Sequence, residues 1–136
     1  MLALLFCIFT NYEYINLYEI VICTNWGIFV SFYSAIFFDP DVNIKLANKM
    51  NINIYTFHIL NFIVHGLPII YCSNYKNNIK FINSIFAACF HLLWGFYVTK
   101  GTFLLNNIYI YMSNNNWYKL WFIAIISEIS VYFFYK

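Results

Sequence analysis

Long apolar blocks and short polar clusters alternate along this chain. Four blocks, at residues 20–38, 54–72, 81–99 and 117–135, each approach the twenty or so apolar residues a helix needs to cross a hydrocarbon layer about 30 Å thick. Their many β-branched and aromatic residues would favour strands in water. Backbone facing lipid must satisfy its own hydrogen bonds, however, and the blocks lack the period-2 alternation of a barrel, so helices are expected.

The breaks are legible. Asp39-Pro40-Asp41 with Lys45 and Lys49 closes the first block, residues 73–80 separate the second from the third, and Ser113-Asn114-Asn115-Asn116 precedes the fourth. Short connections predict antiparallel neighbours. Residues 101–112 are apolar but too few to cross, which fits a re-entrant or interfacial piece. The first ten residues are apolar without the basic region or small-residue cleavage site of a secretion signal. Residues 1–18 are therefore expected to lie at the interface.

Composition sharpens this picture. The chain is 63% hydrophobic and only 9% charged, against roughly 25% charged in a water-soluble domain. The expectation is one all-α integral membrane domain over residues 1–136, a multi-pass bundle of about four transmembrane helices with membrane lipid as its partner. Oligomerisation through helix contacts is a further expectation. Net charge is +2 and the seven lysines are scattered singly, so no nucleic-acid partner is implied. Cys7, Cys23, Cys72 and Cys89 show no CxxC spacing and lie in or beside apolar blocks, so no metal site and no cofactor is expected. With the N-terminal end of the first block called end A, that side carries Lys76, Lys80 and Lys136, and end B carries Lys45, Lys49, Lys100 and Lys119. A three-to-four split leaves orientation open.

Polar groups at membrane depth are costly unless paired, which makes them the first candidates for chemistry. They are Thr24 and Asn25 in the first block, His58, Asn61 and His65 in the second, Asn83 and His91 in the third, and Glu128 in the fourth. Counted from end A, Thr24 lies four residues inside, His65 seven, Asn83 two and Glu128 seven. At about 1.5 Å per residue these fall within roughly 8 Å of one another in depth. A hydroxyl, an imidazole and a carboxylate in one layer are the parts of a nucleophile, base and orienter. The same residues serve equally well as packing contacts: threonine bonds back to its own helix, asparagines join helices, and His65 can pair with Glu128. His58 and His91 lie deeper and fit the layer less well.

Thr24-Asn25-Trp26, Asn61 four residues before His65 with Leu67-Pro68 after it, Leu93-Trp94 with Gly101 and Tyr109 downstream, and Glu128 form an ordered set. This set resembles the androgen-induced-gene family of multi-pass membrane proteins, and Thr-Asn-Trp is similar to the related rolling stone proteins. The resemblance implies a hydrolase of fatty acid esters of hydroxy fatty acids, with Thr24 as nucleophile and His65 as its base. His58 is the alternative histidine, and Asn25, Asn61, Asn83 and Glu128 form the supporting polar layer. The family has six spans, whereas residues 39–53 are too few to hold the extra helix between the Thr-bearing and His-bearing ones. Two rival readings stand beside it: a non-catalytic membrane packing or interaction protein, and a sparse proton path through His65, His91 and Glu128.

Overall fold

A computed structural model describes residues 14–99 and 114–136, and every regular element among them is a helix. The expected re-entrant piece at 101–112 and the interfacial segment up to residue 13 lie outside the described residues. Helix α1 is Ile15–Phe38, α2 is Val42–Lys49, α3 is Ile54–Cys72, α4 is Phe81–Thr99 and α5 is Asn114–Phe134. Two of them, α1 with 24 residues and α3 with 19, are long and apolar enough to cross a membrane. Helix α1 starts five residues earlier than the apolar block indicates, which brings Glu19 inside it. The short α2 was not expected.

Local chemistry accounts for the boundaries. Pro40 disfavours helical backbone at the residue before it, and Asp39 is extended with φ −142° and ψ 92°. The Asp39 carboxylate then accepts from the Asp41 amide at 3.2 Å and from Lys45 Nζ at 2.7 Å, which holds α2 against the end of α1. Asn51 takes the left-handed conformation at φ 53° that ends α2, and asparagine tolerates it better than most side chains. Asn53 caps α3 by accepting from the Thr56 amide at 2.8 Å.

Helix α3 is interrupted by a π turn over Phe62–Gly66, where the Leu67 amide reaches back to the Phe62 carbonyl. Pro68 supplies the cause: it lacks an N–H for the Val64 carbonyl and its ring crowds that oxygen, so the helix widens just upstream. The Phe62 ring fills the space a side chain on Gly66 would need, at 2.5 Å from such a Cβ.

The helices run up, down, up and down. The Phe32 ring meets His65 while Cys23 clusters with Cys72, so α1 and α3 are antiparallel. Glu19 bonds Asn83, so α1 and α4 are parallel. Phe81 packs on Tyr132 and Trp121 bonds His91, so α4 and α5 are antiparallel. Helices α1, α4 and α5 pack most closely, and α3 lies against α1. One buried cluster at end A joins Tyr18, Ile22, Cys23, Cys72, Ile79, Ala87 and Val131, and a smaller one at end B joins Ala35, Val42 and Leu120.

Small residues set the closeness of α4 and α5, as is usual where backbones must approach in an apolar bundle. A Cβ on Gly95 would stand 2.1 Å from Trp121 Cε2, and the indole donates to the His91 carbonyl at 2.8 Å. Gly95→Ala should therefore cost about 1–3 kcal/mol by overpacking, seen as a lower thermal midpoint of the detergent-solubilised protein. Leu93→Ala, on a side chain that is 70% exposed, should leave the midpoint unchanged.

Candidate functional site

Two buried carboxylates organise the polar interior. Glu19, on the first turns of α1, is 2% exposed. Its Oε2 accepts from the Lys80 amide at 2.8 Å and from Asn83 Nδ2 at 2.7 Å, and its Oε1 accepts from the Tyr75 hydroxyl at 3.2 Å. Asn16 Oδ1, one turn earlier, accepts from Lys80 Nζ at 2.9 Å and from Asn83 Nδ2 at 3.3 Å. One carboxylate thus ties α1 to the α3–α4 connection and to the start of α4. Glu19 stands one residue before the apolar block that opens at Ile20, so depth counted from that edge passes over it; the signal for it is an acid directly against an apolar run, on the same side as Lys80.

Tyr75 sits outside the long helices, with its ring edge-on to Tyr18 at 5.3 Å between centroids. Burial and the neighbouring Glu19 carboxylate push its phenol up to about 12. It therefore stays a hydrogen-bond donor to Glu19 at ordinary pH.

The second centre lies about two turns deeper, where Glu128 of α5 is fully buried. His91 Nδ1 of α4 is hydrogen-bonded to Glu128 Oε1. The carboxylate also lies against α1 at Gly27, where a Cβ would come within 2.6 Å of Glu128 Cγ. Among the described residues Glu128 Oε2 has no hydrogen-bond partner. From the sequence, His65 can pair with Glu128 and His91 fits the layer less well; the structure pairs Glu128 with His91.

The Thr24 and His65 side chains are not brought together. Thr24 Oγ1 donates to the Ile20 carbonyl at 2.9 Å, and Asn25 Nδ2 donates to the Val21 carbonyl at 2.7 Å, both within α1. The His65 ring stacks on Phe32 at 4.7 Å and 15°. Phe32 is eight residues beyond Thr24, about 12 Å along the helix. Ile20 and Cys72 do not end level with each other: Cys72 clusters beside Cys23, which shifts His65 toward end B. Asn61 is half-buried and His58 exposed on the same helix. Trp26, beside Thr24 and Asn25, donates to the Tyr135 hydroxyl at 3.2 Å, which donates to the Cys72 carbonyl at 3.0 Å. Three helices meet through that hydroxyl.

Among the described residues no group of three or more His, Cys, Asp or Glu side chains could hold a metal ion. Compared with protein-family models, curated proteins and solved structures, the chain has no match.

Two outcomes follow from the Glu19 centre. A double-mutant cycle of Glu19→Gln and Asn83→Leu, read by steric trapping in bicelles, should give a coupling of about 0.6–2 kcal/mol, the range of interhelical hydrogen bonds in apolar surroundings. The phenol of Tyr75 binds its proton more tightly in the folded protein than its ordinary value of 10.0 allows. Its contribution is then complete below that value and lost as pH rises toward about 12. The thermal midpoint of the wild type should fall over that window more than that of Tyr75→Phe.

Proposed function

We propose that this chain is a multi-pass integral membrane protein with four spanning helices, α1, α3, α4 and α5, whose buried polar residues associate helices rather than carry out catalysis. The observation that carries the reading is the distribution of side chains between inside and outside. Glu128 and Ser84 are fully buried and Glu19 nearly so, while Phe37 is 86% exposed and Phe134 83%. A fold that buries two glutamates while it leaves many phenylalanines and leucines exposed is arranged for an apolar solvent. Length supports it too: α1 would extend about 36 Å and α3 about 29 Å at 1.5 Å per residue, beside a core of about 30 Å.

The polar pairs support an organising role. Each carboxylate is engaged across helices, Glu19 to Asn83 and Glu128 to His91, whereas the Thr24 hydroxyl is bonded within its own helix. Acyl transfer by Thr24 with His65 as base would require both side chains to leave these positions and meet.

Two measurements test the proposal. In a cysteine-free background, Asn48→Cys and Asn77→Cys should be labelled by an impermeant maleimide from opposite faces of sealed vesicles. Labelling of both from one face would sink the four-span arrangement. Purified protein in nanodiscs should cleave long-chain fatty acid esters no faster than empty nanodiscs, with Thr24→Val and His65→Ala unchanged in abundance. Cleavage lost in both variants would replace the packing role with intramembrane hydrolysis.

A further inference from the structure

At end A the connection after α3 turns over the start of α1 and leaves a cleft of about 340 Å³ lined by Tyr18, Tyr71, Asn74, Tyr75, Lys76 and Asn77. The charged groups around it are unequal. Glu19 is buried beneath Tyr75 and satisfied by three donors. Lys80 Nζ is taken by Asn16. Lys76 is exposed and has no ion pair among the described residues. An ammonium group thus lines a recess walled by tyrosine rings, beside two carboxamides of which Asn77 is hydrogen-bonded to Tyr75 and Asn74 to the Ile70 carbonyl; each amide group keeps a second N–H, a donor set suited to a phosphate oxygen.

The cleft continues into an apolar track. Leu67, Ile70 and Tyr71 follow the i, i+3, i+4 spacing of one helix stripe, and Asn74 stands two residues past the helix end. Leu67 and Ile70 are exposed, and Asn74 Nδ2 bonds the Ile70 carbonyl at 3.2 Å. The stripe therefore begins among side chains that face lipid, in the membrane reading above, and ends at the polar recess. A free anion has no use for such a track, whereas a lipid fills both parts: acyl chains along the stripe and a phosphate beside Lys76.

We infer that this end of the protein is a binding site for a phospholipid with an anionic headgroup. The phosphate lies against Lys76, Asn74 and Asn77, and an acyl chain lies along Leu67 and Ile70. The inference rests on the membrane reading, whose own failure is read separately in the labelling of Asn48→Cys and Asn77→Cys.

The test is native mass spectrometry of protein taken from nanodiscs of phosphatidylcholine containing a minority of phosphatidylglycerol. The wild type should retain phosphatidylglycerol above its bulk share. Lys76→Ala should lower that enrichment roughly fivefold, the effect of removing one lysine near an anionic surface. Lys49→Ala, at end B, should leave it unchanged. Ile70→Asn should weaken retention of both lipids while the wild-type thermal midpoint is kept. Equal enrichment in wild type and Lys76→Ala, or an equal loss in Lys49→Ala, would overturn the site. Added inorganic phosphate serves as a second arm. Displacement of phosphatidylglycerol that depends on Lys76 would keep the anion recess and overturn the lipid as its source; no displacement supports the lipid.

Discussion

A carboxylate buried among apolar helices has to find donors, because its desolvation is otherwise prohibitive. Glu19 finds three, and they come from two different parts of the chain: Tyr75 and the Lys80 amide on the connection, and Asn83 on α4. That requirement dictates the route of residues 73–80. The connection must pass over the start of α1 closely enough for a backbone amide to reach Oε2, which also buries Ile79 in the end A cluster. The parallel pairing of α1 with α4 then follows, and α5 occupies the remaining antiparallel position against both.

Deeper in the bundle the same requirement is met at one oxygen of Glu128, by different means. Glu128 projects from α5 into a site shared by His91 and the bare backbone at Gly27. A side chain at residue 27 would collide with the carboxylate, so the glycine is explained by contact and not by conformational freedom. Gly95 plays the corresponding part for Trp121, whose indole reaches the His91 carbonyl. His91 is thus held at two points, its ring by Glu128 and its main chain by Trp121. These contacts link α4 to α5 along most of their length, and the Tyr135 hydroxyl extends the linkage to α1 and α3.

The polar groups divide into those that join helices and those that do not. Glu19, Asn83, His91 and Glu128 join helices; Thr24 and Asn25 bond within α1, and His65 is a flat ring stacked on Phe32. Thr24 and His65 therefore stand about two turns apart along the bundle. At end A a cation, carboxamides and tyrosines gather beside exposed apolar residues.

Much of the helical organisation is written in the order of apolar blocks and breaks. Asp39-Pro40 ends α1, Asn53 caps α3 and Pro68 widens it, each by local backbone chemistry that needs no distant partner. The sequence by itself therefore determined that the described residues are helical, the alternation of helix direction, and the polar residues inside apolar stretches with the exception of Glu19. Only the tertiary structure decided how those residues pair. Depth counted from block edges carries an error of about one turn per helix, because Glu19 hides the true start of α1 and the π turn alters α3. A hydrogen bond tolerates only a few tenths of an ångström. Pairing thus depends on how far helices slide and rotate against one another, and that is set by glycines, alanines and rings in contact across the whole bundle.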